Sequence, residues 1–300
     1  MLQKLKQLFK QEPQRLIEVR DEKGHISRVS EQEWKTVLLP KEIKKSWDNA
    51  QKLSDHIAYA LQDGYAELVE DATERLLEID ILPERSYVLR AITLSKLGKY
   101  AQADALLTDY HAKFTKTGAS LINHAKIAKE TGDATRAEAL LLEGLSVDPN
   151  IEEGIEWYSD LLKERFGNEG YKKALEHICS IKNSWRAYLW LGRYELQQNN
   201  SENALRVYNN YFRLAEERDR ALLMLSADLG QHNMLKDMVE LVAVQYIPDR
   251  HDVRIGFNLL KAYHTLGLDK DLEILMNQLR VIDRIDVQEE LNAFEKEIAQ

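Results

Sequence analysis

Gly64, Gly98 and Gly132 stand 34 residues apart, twice in succession, and the residues around them recur in register. Seven positions before each glycine are Ile57, Ala91 and Ala125, four before are Ala60, Leu94 and Ala128, and five after are Val69, Ala103 and Ala137. Small and apolar residues at helical spacing on both sides of a glycine predict a helix, a turn and a second helix. A glycine at the end of the first helix supplies the left-handed backbone that closes it. Alanines in the facing positions let the two helices approach closely. A unit of this length cannot bury its apolar face alone, so successive units must stack.

The third unit reads AKETGDATRAEALLLEGLSVDPN, and Asp148-Pro149 ends its second helix because proline cannot continue the hydrogen-bond ladder. Farther on, WRAYLWLGRYELQQNNSENALRVYNNYF repeats the pattern, with Leu191-Gly192 in the first helix, Ala204 opening the second and Tyr208 after it. Here Asn199-Asn200 takes the turn, asparagine being able to adopt left-handed geometry. Between these, GIEWYSDLLKERFGNEGYKKALEHICSI fits only with a turn enlarged around Gly167 and Gly170. Two further hairpins keep turn glycines at Gly230 and Gly267, with Leu235 and Leu272 in place of the small residue after the turn. The glycine spacing therefore keeps time from Gly64 to Gly132 and slips beyond. Residues 287–299 read as a capping helix with Leu291, Phe294 and Ile298 inward.

Over residues 50–280 the chain resembles the tetratricopeptide family, the third unit, ending in DPN, being the best match. The resemblance implies an all-α, right-handed α-α superhelix, a solenoid of about six helical hairpins. It also implies that the first helices line a concave groove in which a peptide lies. The whole chain is similar to uncharacterised bacterial tetratricopeptide proteins of about this length, and that likeness implies no activity.

The front of the chain differs. RLIEVRDEKGHISRV alternates apolar and polar residues on both sides of Asp21-Glu22-Lys23-Gly24, the pattern of a β-hairpin. Ser30 with Glu33 makes a capping box for a helix carrying Trp34 and Val37, Pro40 breaks it, and a helix from Lys41 through Trp47 leads into the first unit. Before the hairpin, MLQKLKQLFK sets Leu2, Leu5, Leu8 and Phe9 near one face, to pack on the first hairpin or lie on an anionic membrane. The expected divisions are 1–40 for this extension, 41–286 for the solenoid and 287–300 for the cap.

Charge is uneven. Residues 1–50 carry eleven Lys and Arg against eight Asp and Glu, net +3, within a chain of net −9, so the remaining 250 residues carry −12. An acidic body disfavours nucleic acid as a partner. No apolar run approaches the roughly 20 residues of a membrane span. The amino terminus lacks a secretory signal, and one cysteine, Cys179, suits a reducing compartment and a small buried role, so a cytoplasmic protein is expected. No HExxH, GxGxxG after a strand, GxxxxGK[ST], GxSxG or CxxC occurs, and the eight histidines lack ligand spacing, so no catalytic residue, metal or cofactor is expected.

The position six before each turn residue would face the groove that the resemblance implies. It is held by Ala58, Ile92, Lys126, Arg193, Met224 and Lys261, three of the six basic. With Lys129, Arg186, Trp190, Arg254, Asn258 and His264 these make a basic, aromatic channel suited to carboxylates. Ordinary solvated helix faces would carry the same residues. Lys126 with Asn123 supplies only part of the lysine–asparagine clamp by which some tetratricopeptide domains hold a partner's carboxyl terminus. The expected function is a protein-interaction scaffold holding a peptide of acidic character, with Lys126, Arg186, Trp190, Arg193 and Lys261 at the centre. The alternatives are an adaptor docking through its basic front to a membrane or a sister subunit, and an unrecognised enzyme.

Overall fold

The computed structural model describes residues 16–20 and 26–298. The amphipathic segment 1–12 and the hairpin loop at 21–25 lie outside the described residues. Two antiparallel strands, β1 (Leu16–Arg20) and β2 (Ile26–Ser30), pair Leu16 with Ser30 and Arg20 with Ile26. Ser30 then caps the chain into helix, its hydroxyl accepting the Glu33 N–H at 3.1 Å.

Pro40 does not break the run. A one-turn helix at Glu31–Glu33 passes through a π-turn, Trp34–Leu38, into α1 (Leu39–Lys45), with Pro40 in its first turn. Proline is tolerated there because the N–H it lacks would have no standard partner, and the widened turn relieves its ring. The expected helix through Trp47 ends at Lys45, and Asn49 caps a new one by accepting the Lys52 N–H at 3.0 Å.

Thirteen further helices and one short helical pair follow as hairpins: α2 (Ala50–Gln62), α3 (Glu70–Ile79), α4 (Pro83–Lys96), α5 (Tyr100–Lys113), α6 (Gly118–Glu130), α7 (Ala134–Val147), α8 (Glu152–Ser180), α9 (Arg186–Gln197), α10 (Ser201–Leu214), α11 (Arg218–Gln231), α12 (Leu235–Met238, continued as a π-turn through Ala243), α13 (Val253–Leu266), α14 (Asp269–Arg280) and α15 (Ile285–Ile298). The chain is all-α apart from the opening hairpin, and it forms two compact units, residues 1–144 and 145–300.

Each hairpin of the regular kind closes in the same way. Gly64, Gly98, Gly132, Asn199, Asn233 and Gly267 have φ between 55° and 85°. The N–H after each returns to the carbonyl five residues earlier, as Lys99 does to Leu94 at 2.8 Å and Met234 to Leu229 at 2.9 Å. This bond satisfies a carbonyl that the helix end would leave open. The turn of the fifth regular hairpin is therefore Asn233, not Gly230, which lies inside α11. The position equivalent to Lys126 and Arg193 in that hairpin becomes Ala227 rather than Met224.

The clock does not drift through the second half, as the glycines alone suggested. Asn199, Asn233 and Gly267 are again 34 apart, and Gly132 to Asn199 spans 67 residues, one fewer than two repeats. The lost residue falls in the irregular hairpin. Instead of an enlarged turn, residues 152–166 and 168–180 of α8 meet directly at Gly167, whose φ of 66° and ψ of −156° break the helix. Gly170 makes this possible, because a Cβ there would sit 2.2 Å from the Leu162 carbonyl oxygen.

In the first unit Leu39, Leu53, Ile57, Val69 and Leu76 are wholly buried in one cluster, and Ala91, Ala103 and Leu107 belong to another. Each fully buried leucine or isoleucine contributes about 1.5–3 kcal/mol. In the second unit one cluster runs from Trp185 to Phe294, and Ile155, Ala174, Leu175 and Ile178 of α8 are wholly buried outside it. The cluster takes in Val287, Leu291 and Phe294 of α15, so the last helix does close the apolar end, beginning two residues before its expected start and leaving Ile298 only half-buried.

Candidate functional site

Stacking at a 34-residue period sets equivalent positions of adjacent first helices side by side, and polar bonds join residues one repeat apart. Arg85 Nη1 donates to Gln51 Oε1, Thr117 Oγ1 donates to Glu84 Oε1 at 2.7 Å, and Arg186 Nη1 donates to Glu152 Oε2 at 2.7 Å. These bonds decide where each unit is polar and where it is bare.

In the first unit they frame a cleft of about 640 Å³. Its walls come from α2 (Gln51, Ser54, Asp55, Ala58), the start of α4 (Leu82 to Arg85, Val88, Leu89), and the end of α5 with its connection to α6 (Tyr110, Phe114, Thr115, Thr117, Ala119). Leu82, 52% exposed, and Phe114, 40% exposed, present apolar surface at its edge. Tyr110 sits 5.4 Å from both Tyr87 and Phe114 between ring centroids, and its hydroxyl donates to the Thr115 carbonyl at 3.2 Å, which fixes the chain where it leaves α5. Pro83 starts α4 and holds Leu82 outside the helix, against the opening.

The charged groups of the cleft lie at its lip. Arg85 is taken up by Asp80, with Nε and Nη2 donating at 2.7 and 2.8 Å. Burial pushes the Asp80 carboxyl up, but the guanidinium and the Leu82 N–H outweigh it and hold it below the ordinary carboxylate range. Asp55 accepts from Gln51 Nε2 at 3.0 Å and remains exposed. With Arg85 neutralised, Asp55 and Glu84 give the lip an acidic character.

Of the groove candidates read from the sequence, Lys126 and Lys129 belong to α6 of the first unit, half-buried and exposed respectively. The other seven belong to the second unit. There Trp190 and Arg193 share a depression of about 300 Å³ with Asp160, Lys163, Tyr171 and Tyr194. Lys163 Nζ lies 5.3 Å from the centre of the Tyr171 ring, and Tyr171 and Tyr194 are 5.7 Å apart. Arg193 Nε donates to Asp228 Oδ2 at 2.9 Å, while Nη2 lies 3.6 Å from the Met224 Sδ. The buried Tyr208 hydroxyl donates to the same Asp228 oxygen at 3.1 Å.

The remaining candidates do not gather in this depression. Arg186 stacks on Trp185 at 4.9 Å besides its bond to Glu152, Arg254 grips Asp252 through Nε and Nη2, and Asn258 Nδ2 donates to Ser226 Oγ at 2.9 Å. His264 packs edge-on against Phe294 at 6.4 Å, and Lys261 is exposed. Acids of the same chain thus engage all three arginines. Cys179 is half-buried rather than fully enclosed, and burial pushes its thiol up to about 12.

A buried polar cluster lies behind the cleft, where His111 contacts the Tyr110 ring at 5.6 Å. In the first unit His124 Nε2 lies 2.8 Å from both Asp104 Oδ1 and Arg136 Nη2, and His111 reaches the other ring nitrogen at 3.4 Å. Burial, then the neighbouring His124, pushes His111 down to about 4.

No family model and no curated protein matches the chain. Solved tetratricopeptide structures do. A structure of Naa15/Naa10 bound to HypK-THB is 13% identical with a TM-score of 0.39, over 81% of this chain and 38% of that one, so the chain spans well under half of that protein. The C-terminal part of a tetratricopeptide-repeat protein from Cytophaga hutchinsonii is 12% identical with a TM-score of 0.39, over 79% of this chain and 98% of that one. One from Parabacteroides merdae is 14% identical with a TM-score of 0.35, over 84% and 99%.

The cleft was missed in the sequence because the repeat columns point to mid-helix positions, and Ala58 alone of those reaches it. Its apolar groups sit where helices begin and end. The signal was Ile81-Leu82 ahead of Pro83 and Phe114 after α5, large apolar residues outside every repeat column.

Proposed function

We propose that this chain is a protein-interaction scaffold and that the cleft of its first unit takes a peptide segment with an apolar face and basic flanks. The observation that carries this reading is the bare apolar wall between Leu82 and Phe114 under a lip bearing Asp55 and Glu84. An apolar concavity with a few polar groups at its edge is the usual form of a binding site. Helical or extended segments dock in such grooves through regularly spaced apolar anchors. Fluorescence anisotropy with a short Leu- and Lys-rich amphipathic peptide tests it. Leu82→Lys and Phe114→Lys, each at an exposed position, weaken binding at least tenfold, and unchanged affinity in both variants overturns the reading.

A second reading places an acidic segment at the depression of the second unit. It is supported by Arg193, whose Nη2 faces only a thioether, a weak acceptor, beside Lys163 and Trp190. An acidic peptide that binds equally well after Arg193→Glu with Lys261→Glu, in a protein of unchanged melting temperature, removes it. We further propose a cytoplasmic location, with which a single cysteine is compatible. Among the described residues no helix is long and apolar enough to cross a membrane.

A further inference from the structure

Where first helices stack inside a unit, an arginine of the later helix reaches back one repeat to a polar acceptor. Arg85 Nη1 donates to Gln51 Oε1 between α2 and α4, and Arg186 Nη1 donates to Glu152 Oε2 at 2.7 Å between α8 and α9. The contact between α4 and α6 breaks this pattern. One repeat after Glu84 and Arg85 stand Gly118 and Ala119, which have no side chain that could reach back. Glu84 Oε1 accepts the Thr117 hydroxyl at 2.7 Å, and among the described residues no basic side chain forms an ion pair with Glu84. An ionised carboxylate has about four acceptor sites, so most of its capacity is open.

The basic side chains that flank the cleft-lining residues already have acids. Arg85 is held by Asp80, Lys113 by Asp109 at 2.7 Å and Lys116 by Glu143 at 2.7 Å. The Thr117 bond sets the Glu84 carboxylate against the connection that carries Phe114 and Thr115. Burial, and after it the negative charge of Glu84, push the Tyr110 hydroxyl above its usual range, in keeping with a carboxylate close to that ring. Phe114 packs 5.4 Å from Tyr110 and 5.8 Å from Tyr87 between ring centroids and is still 40% exposed. An open acid beside an exposed ring suits a guanidinium, which is planar, always charged, and stacks on aromatic faces while donating to a carboxylate.

We propose that Glu84 seats an arginine carried by the partner segment, with the apolar anchors of that segment entering between Leu82 and Phe114. The partner supplies the contact that Gly118 and Ala119 leave out of the stack. The inference rests on the proposed peptide-binding role of the cleft, and it narrows the basic flanks of that peptide to one residue type at one acid. Asp55, exposed at the lip, steers the approach of a basic segment and does not select it.

The test changes one group on each partner. The Leu- and Lys-rich peptide is made with its basic positions all arginine, all lysine, or all citrulline, the uncharged isostere of arginine, and each version is titrated by anisotropy against the parent chain and Glu84→Gln. Glutamine keeps an acceptor for the Thr117 hydroxyl, so the melting temperature is unchanged. Glu84→Gln weakens the arginine peptide by about tenfold or more, the scale of a charge-assisted hydrogen bond, weakens the lysine peptide less, and leaves the citrulline peptide within about twofold. Asp55→Asn weakens the arginine peptide by no more than about fivefold at the same salt concentration, as an exposed charge does. Equal losses for the arginine and citrulline peptides, equal losses for the arginine and lysine peptides, or no loss at all overturns the inference. So does an Asp55→Asn loss as large as that of Glu84→Gln. Leu82→Lys separates the two claims: peptides that bind the parent chain and lose affinity for Leu82→Lys, while Glu84→Gln has no effect, overturn the arginine seat and leave the peptide-binding role standing. A parent chain that binds none of the peptides overturns both.

Discussion

The two units use one repeat to opposite ends. In the first, the turns are glycines, the cores are small separate clusters, and the ends of the helices leave an apolar cleft uncovered. In the second, two of the three regular turns are asparagines, and one cluster of buried residues runs from Trp185 through to the last helix. The difference teaches that regularity of the repeat does not mark where a solenoid is closed. The cleanest repeats carry the open apolar surface, and the unit that loses a residue at Gly167 carries the longer continuous cluster of buried residues.

The largest expected effect bears on that lost residue. Gly170→Val places a side chain against the Leu162 carbonyl, which cannot move without unwinding α8, and costs about 3 kcal/mol or more. Urea denaturation measures the loss, and hydrogen exchange over residues 152–214 locates it. A variant as stable as the parent would show that the direct junction of the two halves of α8 is not required. Asp228→Ala comes next, at about 2–3 kcal/mol, because it leaves the Tyr208 hydroxyl and one side of Arg193 without their acceptor in a buried setting. Arg193→Ala costs less, since the Asp228 carboxylate, 9% exposed, loses its counter-ion but keeps the Tyr208 hydroxyl as a donor. If the two cost the same, the pair acts as an ordinary surface ion pair.

Exchanging the turns sharpens the comparison at a smaller scale. Gly98→Ala costs about 1–2 kcal/mol in thermal melts, because its φ of 73° is unfavourable for any side chain. Asn233→Gly, at φ 55°, changes stability by only a few tenths of a kcal/mol in the same melts, the left-handed position favouring both residues. The mildest effect is on pH. A histidine whose folded value lies below its unfolded one contributes stability that is present above about 6.5 and is lost as the pH falls through about 4, and His111 is such a group. The melting temperature therefore falls between pH 6.5 and 4, and His111→Asn flattens that fall. An unaltered profile would assign the acid loss to carboxylates, Asp104 among them.

Much of the fold was legible because its signals are local. The turn glycines, the proline after Asp148, the alternating strands on either side of residues 21–25 and the apolar face of residues 287–298 each declare an element within a few residues. Asn233 escaped because Gly230, three residues earlier, looks like the better turn, and only the dihedral angles show that the helix runs past it. Gly167 was read as part of a loop because a helix broken at a single residue has the same composition as one broken by several. The candidate site was legible in part. Trp190 and Arg193 do share a depression, but the aromatic cleft edge at Phe114 and the pairing of Arg254 with Asp252 had no place in a pattern built on groove-facing columns.

The sequence by itself determined the period, the hairpins and the chemistry of their ends, since each depends on backbone preferences and on which face of a helix is apolar. Only the tertiary structure decided which carboxylate meets which arginine and which helix ends gather into a cleft. Contacts such as Arg186 with Glu152 and Arg193 with Asp228 join residues 34 and 35 positions apart, and the spacing that makes them neighbours in space leaves no local trace in the chain.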